Sequence, residues 1–266
     1  MIDAVDLDRH RLQALEAANV GAKVVARHAT HAGERSEVKG LGDYVTNVDR
    51  ESEAAIRAFL KDATPEVPIM AEEGGGDSSD LYWAVDPLDG TTNFMIGFPA
   101  VSVSVALIAN GRPVAAAVRA PFLDLSFSAA HEQGAHEAGR RLRVSDRPAE
   151  RAIVATALPF RARELMERYR PVLDEVFANT EDIRRAGSAA LELAWVSAGV
   201  WDGYFELNLK VWDAAAGALL VLESGGVVTD WAGGDRYLSG DVLAGSPQTH
   251  ETLLRAASGA SAAGKR

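Results

Sequence analysis

Apolar residues recur every three or four positions near the start of the chain. They fall on one face of a helix, so residues 8–28 are predicted to form an amphipathic helix. A polar connection over residues 30–43 follows. Thr46 and Asp49 then have the spacing of a capping box, and the apolar residues after them keep a helical period. A second helix is therefore predicted to begin at Thr46.

Short apolar runs replace the helical period in the next part of the chain. Each run is bounded by turn residues, and Asn110-Gly111 has the sequence of a hairpin turn between two of them. Such runs predict a mainly antiparallel sheet. We expect its strands at residues 68–71, 81–85, 101–109, 114–118, 125–129 and 142–144.

After residue 146, predicted strands and helices alternate. The strands are expected at residues 152–156, 201–207, 227–230 and 241–244, and the helices at 163–177, 188–198, 212–223 and 249–257. The sequence therefore predicts an α/β protein whose two halves pack as one unit. Its expected parts are an antiparallel-sheet half over residues 1–145, an α/β half over 146–257 and a disordered tail over 258–266.

The composition is that of an ordinary folded protein. Of the 266 residues, 47% are hydrophobic and 24% are charged, which is enough apolar material for one large domain or two packed halves. The 27 basic and 38 acidic residues give a net charge of −11, and the densest basic cluster is only Arg140, Arg141 and Arg143. A chain this acidic repels a nucleic-acid backbone, so we expect no nucleic acid as its main partner.

Three features that the sequence lacks limit the possible chemistry and cellular location of the protein. The chain has no cysteine, which excludes disulfides, thiolate metal sites and a cysteine nucleophile. Its first residues carry scattered charges and lack the apolar run of a secretory signal. No apolar stretch approaches the roughly 20 residues of a membrane-spanning helix. We expect a cytoplasmic protein with no membrane partner.

The turn after the strand predicted at residues 81–85 carries the first candidate chemistry. Asp86 ends the strand, Pro87 removes the next backbone donor, and Asp89 stands beside a glycine. Two carboxylates and the Leu88 carbonyl on one short turn form an all-oxygen set. Such a set suits a hard cation, and Mg²⁺ above all.

The next residues, Gly90, Thr91 and Thr92, open a predicted helix. The free backbone N–H groups and the positive dipole end of a helix suit a phosphate. An ordinary structural explanation is also available, because Asp-Pro and Asp-Gly are common turn dipeptides and threonine is a common helix cap. These residues by themselves leave the two explanations open.

Two further carboxylates favour the chemical interpretation. Glu72 follows another predicted strand, and Asp213 lies in the first turn of a later helix. Four carboxylates at strand ends and helix starts would repel one another unless cations neutralised them. The sequence therefore predicts a metal site made of these groups.

Six short motifs span most of the chain in a fixed order. They are Lys39-Gly-Leu-Gly-Asp43-Tyr-Val-Thr46-Asn-Val-Asp49, Ala71-Glu72-Glu73-Gly74, Asp86-Pro-Leu-Asp89-Gly-Thr91-Thr-Asn93-Phe, Arg185-Ala-Gly187-Ser-Ala-Ala190-Leu, Asp202-Gly-Tyr-Phe-Glu206 and Val211-Trp-Asp213-Ala-Ala-Ala-Gly217. In this order and spacing they resemble the inositol monophosphatase family of Mg²⁺-dependent, lithium-sensitive phosphatases. The resemblance implies a layered αβαβα sandwich with one antiparallel-sheet half and one mixed-sheet half.

The resemblance implies two or three Mg²⁺ ions in each site. Glu72, Asp86 and the Leu88 carbonyl are the implied ligands of the first ion. Asp86, Asp89 and Asp213 are those of the second, and Glu72 also touches a weaker third. Such ions reverse the local charge, so that an anionic phosphate monoester can enter an acidic pocket.

The implied catalytic residues are Asp49, Thr91 and Glu72. Asp49 and Thr91 match the pair that orients the attacking water and helps to deprotonate it, with no covalent phosphoenzyme. The sequence alone favours another role for Asp49, as the capping residue that pairs with Thr46. The resemblance favours catalysis.

The implied substrate contacts cover the phosphate and the alcohol. They are Asp89, Gly90, Thr91, Ala189, Glu206 and Asp213. Glu206 can accept hydrogen bonds from two hydroxyls of a polyol, and a solvated glutamate on an edge strand is an equally good explanation. Lys210 stands where animal inositol monophosphatases carry a histidine, which leaves the detailed sugar contacts open.

The expected function is the hydrolysis of a small phosphate monoester, first of all myo-inositol monophosphate, by a homodimer that uses Mg²⁺. Relatives on the same scaffold provide the alternatives, namely histidinol-phosphate, fructose-bisphosphate and phosphoadenosine-phosphate phosphatases. A scaffold that binds partner proteins is an alternative of another class.

Overall fold

The computed structural model of the protein describes residues 4–28, 36–40 and 43–263. The helices in these ranges are α1 (Ala4–Arg27), α2 (Asn47–Ala63), α3 (Thr91–Ile96), α4 (Met166–Asn179), α5 (Ala189–Ser197), α6 (Val211–Glu223) and α7 (Pro247–Ala263). The strands are β1 (Ser36–Gly40), β2 (Asp43–Thr46), β3 (Ile69–Ala71), β4 (Leu81–Asp89), β5 (Ser102–Ala109), β6 (Arg112–Ala120), β7 (Leu125–Ala130), β8 (Gly134–Glu137), β9 (Arg140–Arg141), β10 (Ile153–Thr156), β11 (Asp182–Arg184), β12 (Gly203–Glu206), β13 (Val227–Thr229) and β14 (Val242–Gly245).

The strands form two large sheets and one hairpin. The larger sheet has seven strands in the order β3-β4-β5-β6-β7-β8-β9 and is antiparallel except for the parallel pair β3–β4. The smaller sheet has five strands in the order β11-β10-β12-β14-β13 and contains parallel and antiparallel pairs. β1 and β2 pair as the hairpin. The α/β fold class expected from the sequence is confirmed.

Helices cover both faces of both sheets, which gives five layers. α1 and α2 pack on one face of the seven-stranded sheet, where Ile56 and Trp83 are fully buried. α5 and α6 lie between the two sheets and contribute to the core on each side. α4 and α7 cover the outer face of the five-stranded sheet, around Tyr169 and Phe205. The implied αβαβα sandwich is the observed one.

The middle layer brings the start of α6 to the seven-stranded sheet. α5 and α6 pack so closely that a Cβ on Gly217 would lie 2.4 Å from the Leu193 Cβ, so only glycine fits there. Ser104 Oγ on β5 donates a hydrogen bond of 2.9 Å to the carbonyl of Trp212, at the first turn of α6. Since β5 pairs with β4, this contact places the first turn of α6 near the end of β4.

The strand predicted at residues 142–144 is absent, so this prediction was wrong. The sheet ends instead with β8 and β9, joined by a tight turn in which Ala138 and Gly139 both have positive φ. Leu142 is buried after the end of β9. Its apolar character reflects burial, and burial alone does not distinguish a strand from an irregular segment.

Two other segments differ from expectation. The polar connection predicted over residues 30–43 contains the strand β1. α7 continues to Ala263, so residues 258–263, expected in a disordered tail, are helical, in keeping with the high helix propensity of their alanines. Residues 264–266 lie outside the described residues.

α5 and α6 pack on both sheets, so the two expected halves share one layer of the core. A domain boundary near residue 145 stays a prediction. Among the described residues, no helix combines the length and apolar character needed to cross a membrane.

Candidate active site

The end of β4 carries the two acidic residues of the predicted metal turn. β4 pairs regularly with β5 as far as Asp86, and the register shifts before Asp89. Pro87 has no N–H to donate, and the N–H of Leu88 turns to Asp86 Oδ1 at 3.0 Å instead of joining the sheet. This irregularity lets both aspartates line the same cavity.

The turn before α5 holds Asp89 in place. Asp89 Oδ2 accepts hydrogen bonds from Ser188 Oγ at 2.7 Å and from the Ala190 N–H at 2.8 Å. Ser102 Oγ, from β5, lies 3.3 Å from the same oxygen. A carboxylate of the seven-stranded sheet is thereby tied to the first turn of α5, which also contains the expected substrate contact Ala189.

Gly90 turns the chain from β4 into α3. Its φ is +94°, and a Cβ there would lie 3.0 Å from the Ala100 carbonyl oxygen and 3.2 Å from that of Gly187. Both Gly90 and Thr91 line the cavity. Because the first N–H groups of a helix lack intrahelical acceptors, this end of α3 can donate to an anion in the cavity.

Asp213 and Glu72 reach the cavity from two other elements. Asp213 lies in the first turn of α6, where its Oδ2 accepts the backbone N–H of Lys210 at 2.7 Å. Glu72 follows β3, and its own N–H donates to the Val85 carbonyl at 3.2 Å. Parallel pairing of β3 with β4 thus places Glu72 beside the end of β4.

One cavity of about 340 Å³ collects nearly all of the predicted residues. Its lining includes Glu72, Asp86, Leu88, Asp89, Gly90, Thr91, Ala189, Glu206 and Asp213. Asp49 is the exception, because it is fully buried and contacts the cavity through Thr91. The structure therefore brings together residues that lie more than 140 positions apart in the sequence, such as Glu72 and Asp213.

The pKa values of two proposed metal ligands in the cavity, Asp86 and Asp213, are raised above those of ordinary carboxylates. Burial raises the pKa of Asp86 well above its usual value, and the charges of Glu72, Asp89 and Asp213 raise it further. Burial and the neighbouring Asp89 raise the pKa of Asp213 to about 7. This mutual repulsion shows that the cavity concentrates negative charge, which a cation would relieve.

The donor set fits a hard cation, although the side chains are not gathered into finished coordination. All of the groups are carboxylates or carbonyls, the ligands that Mg²⁺ prefers. Among the described residues, no group of three or more Asp, Glu, His or Cys side chains is placed so that it could hold a metal ion as it stands. Oxygens of Asp86, Asp89 and Asp213 accept nearby protein donors instead. The metal ligands therefore stay a prediction.

Asp49 completes the predicted capping box and also accepts a hydrogen bond from Thr91, while its catalytic role stays a prediction. Its Oδ2 accepts from the N–H of Thr46 at 2.8 Å and from the Thr46 hydroxyl at 2.5 Å, which completes the predicted capping box of α2. Its Oδ1 accepts from the Thr91 hydroxyl at 3.1 Å. Burial raises the pKa of Asp49. One carboxylate thus caps a helix and contacts a cavity residue.

Glu206 also lines the cavity and is the last residue of β12. Its Oε2 accepts a hydrogen bond from the Tyr204 hydroxyl. Burial raises the pKa of Glu206 to about 7, and Arg185 and Arg161 act in the opposite direction. The glutamate is thus a partly buried member of the site and not a solvated edge residue.

Sequence reasoning missed several other cavity residues, among them Phe160, Arg161 and Glu192. Phe160 and Arg161 lie in an irregular segment that carries no motif. Glu192 is fully buried, and its Oε1 accepts the N–H groups of Ala186 and Gly187 at 2.5 and 3.3 Å. A lone glutamate within the apolar run of α5 was the signal that could have identified it.

Comparisons with known proteins show the family of the chain. The model of the inositol monophosphatase family matches residues 6–262. The chain is 41% identical over 248 residues to Nus factor SuhB of Vibrio cholerae, an alignment that covers 91% of this chain and 93% of that protein.

Two solved structures are similar over almost their whole length. The extragenic suppressor protein suhB of Bartonella henselae has a TM-score of 0.87 at 38% identity and covers 91% of this chain and 95% of its own. The inositol monophosphatase of Anabaena has a TM-score of 0.82 at 32% identity and covers 94% and 96%. The chain belongs to the inositol monophosphatase family.

Proposed function

We propose that this protein is a Mg²⁺-dependent phosphate monoester hydrolase whose substrate is an inositol monophosphate. One observation carries the proposal: four carboxylates line a single cavity beside a buried aspartate–threonine pair. The carboxylates are Glu72, Asp86, Asp89 and Asp213, and the pair is Asp49 and Thr91. Membership of the inositol monophosphatase family supports phosphatase chemistry.

The resemblance to the family assigns the metal-binding residues, and their place in the lining of the cavity supports this assignment. Glu72, Asp86 and the Leu88 carbonyl would hold one Mg²⁺. Asp86 would share a second ion with Asp89 and Asp213. When bound, the ions cancel the charge of the carboxylates, lower the pKa of a coordinated water and stabilise the leaving oxygen of the ester.

Asp49 and Thr91 would move the proton of the attacking water. The Thr91 hydroxyl lies 3.1 Å from Asp49 Oδ1 and 3.2 Å from the Leu88 carbonyl. Its one proton can be donated to either acceptor, and its oxygen can then accept a hydrogen bond from a water in the cavity. As the Thr91 oxygen takes a proton from the water, the Thr91 hydroxyl would pass its own proton to Asp49 Oδ1. Because burial raises the pKa of Asp49, it is a better base than an exposed aspartate.

The remaining predicted residues would bind the two ends of the substrate. The N–H groups of Gly90 and Thr91 would contact the phosphate at the start of α3, next to Asp89 and Asp213. Glu206 and the backbone of Ala189 would accept and donate hydrogen bonds at the hydroxyls of the alcohol. These residues all line the same cavity.

Phosphate release from a panel of esters tests the proposal. We expect hydrolysis of inositol monophosphate in Mg²⁺ and at least a hundredfold slower release in excess chelator, because the ions supply most of the charge stabilisation. Histidinol phosphate, fructose bisphosphate and phosphoadenosine phosphate are the comparison substrates. Full activity in chelator would overturn the metal requirement, and a strong preference for another ester would overturn the assignment of the substrate.

A homodimer, a cytoplasmic location and inhibition by lithium are further parts of this proposal. Li⁺ can enter a small all-oxygen site without supplying the charge of Mg²⁺. Phosphate release should therefore fall in LiCl and not in KCl at the same ionic strength. Equal rates in the two salts would contradict the proposed site.

A second candidate function is supported by the names of the relatives. Curated proteins 41% identical to this chain, from Vibrio cholerae and Escherichia coli, are named Nus factor SuhB. By analogy, this chain would bind a protein of the transcription machinery. Sedimentation with purified bacterial RNA polymerase tests this function. The variant Asp86→Asn separates it from hydrolysis. If the binding role is independent of catalysis, this variant should still bind the polymerase.

A further inference from the structure

A partly buried ion pair lies directly behind the loop that carries Glu72. Glu53 is on α2 and only 4% exposed, and its Oε1 accepts from Arg57 Nε at 2.6 Å, one helical turn further on. Neither residue belongs to the six motifs, and neither lines the cavity. Both side chains contact the loop at residues 72–75, which follows β3.

Glu53 accepts hydrogen bonds from two consecutive N–H groups of this loop. Glu73 N lies 2.9 Å from Oε2, and Gly74 N lies 3.0 Å from Oε1 and 3.1 Å from Oε2. A Cβ on Gly74 would lie only 2.4 Å from Oε1, so the loop approaches the carboxylate as closely as a glycine backbone allows. One side chain thus accepts hydrogen bonds from two backbone N–H groups, which in a sheet would donate to a neighbouring strand.

Arg57 connects the end of the same loop to the start of β3. Its Nη2 donates to the Gly75 carbonyl at 2.5 Å, and its Nη1 donates to the Ile69 carbonyl at 3.3 Å. Gly75 also accepts the N–H of Ala71 at 3.1 Å, which closes the loop on itself. A planar guanidinium can make these contacts together because its donors have a fixed geometry.

We infer that Glu53 and Arg57 are positioning residues that hold the loop at residues 72–75 so that Glu72 faces the cavity as a metal ligand. The inference rests on the proposed Mg²⁺ site. Groups that orient a metal ligand typically change metal affinity by 10–100-fold when they are replaced. Glu53 and Arg57 act through the loop backbone and touch neither the metal nor the substrate.

Glu53→Gln tests the inference, with MgCl₂ alone as the ligand in titration calorimetry. A glutamine has one acceptor oxygen, so it cannot receive both amides and Arg57 as the carboxylate does. We expect the affinity for Mg²⁺ to fall about tenfold or more. The Mg²⁺ concentration that half-activates phosphate release should rise in parallel, with a smaller change in the KM for the ester.

Asp230→Asn is the matched control. Asp230 is also a buried carboxylate, and its Oδ1 accepts the N–H groups of Ala232 and Gly234 at 2.8 and 2.9 Å. It does not line the cavity. We expect this variant to lose stability and keep the affinity for Mg²⁺ of the original protein. If Glu53→Gln behaves in the same way, the ion pair is only structural and the inference is wrong.

Two further variants keep the test decisive if Glu53→Gln does not fold. Gly74→Ala pushes the loop away from Glu53 without removing a charge, and Arg57→Lys keeps the charge but loses the fork of donors. Both should weaken Mg²⁺ binding. If the original protein binds no Mg²⁺ in calorimetry, the proposed function fails first. If it binds Mg²⁺ and all three variants bind equally well, only the positioning role fails.

Discussion

At Asp86, the charge of the carboxylate and its burial oppose each other. It is only 2% exposed, and Glu72, Asp89 and Asp213 add their repulsion to the cost of its burial. It is also the residue proposed to contact both metal ions. Such a group destabilises the metal-free protein while it supports catalysis, a common compromise at functional sites.

Asp86→Asn should therefore separate stability from activity. The amide keeps an oxygen for the N–H of Leu88 and removes the charge, so the free energy of unfolding in chelator should rise. Turnover in Mg²⁺ should fall by orders of magnitude. Urea denaturation and phosphate release measure the two effects. Near-normal turnover would contradict the bridging role.

Glu206 provides a test of the alcohol side of the site. Glu206→Gln replaces charge-assisted hydrogen bonds to substrate hydroxyls with neutral ones, which are about half as strong. We expect roughly a tenfold larger loss of kcat/KM for inositol monophosphate than for glycerol phosphate, since about 1.4 kcal/mol corresponds to a factor of ten.

Tyr204→Phe is the control for this prediction, because it removes the hydroxyl that Glu206 accepts and leaves the carboxylate in place. It should affect the two esters equally. An equal loss for both esters in Glu206→Gln as well would make Glu206 a structural residue.

Among the helices, α2 connects folding and chemistry most directly. Its capping box joins Thr46 and Asp49, and the second oxygen of Asp49 accepts from Thr91. The start of α2 is therefore fixed by the same carboxylate that is proposed to receive the proton of the attacking water. Replacing each member of the capping box separates the two roles.

Thr46→Ala should cost about 1 kcal/mol of unfolding free energy, as expected for the loss of an N-cap side chain, with a small change in kcat. Asp49→Asn keeps an acceptor for the cap and cannot act as a base, so kcat should fall about 100-fold or more. Denaturation curves and steady-state rates in Mg²⁺ measure both variants. If Asp49→Asn loses stability alone, capping is its whole role.

At the scale of the whole molecule, the raised pKa values in the cavity predict that the free energy of unfolding depends on pH. The pKa values of Asp213 and Glu206 are about 7 in the folded protein, above their ordinary values of 3.8 and 4.5. Between the ordinary and the raised values, the folded state binds more protons than the unfolded state. Stability therefore decreases as the pH rises through this window.

In chelator, we expect the free energy of unfolding to fall by a few kcal/mol between about pH 5 and pH 8. Saturating Mg²⁺ should remove most of this decrease, because it stabilises the ionised carboxylates. Urea denaturation across this range measures both curves, and Glu206→Gln should show a shallower slope in chelator. A stability that stays constant or rises toward pH 8 without Mg²⁺ would contradict the raised pKa values.

Short-range features of the protein could be predicted from its sequence alone. The helical period near the start predicted α1, the capping box predicted the start of α2, and Asn110-Gly111 predicted the turn between β5 and β6. The turn from Asp86 to Thr91 could also be recognised, because its residues are neighbours in the chain. Propensities, caps and turns depend on a few adjacent residues, so the sequence displays them directly.

Only the tertiary structure decided how distant groups meet. Pairing of β3 with β4 brings Glu72 to Asp86, and the close packing of α5 on α6 brings Asp213 to the same cavity. The hydrogen bonds from the loop after β3 to Glu53 are not marked by any sequence motif. Strand order and helix packing set these contacts through many weak interactions summed over the whole core, and no local pattern records that sum.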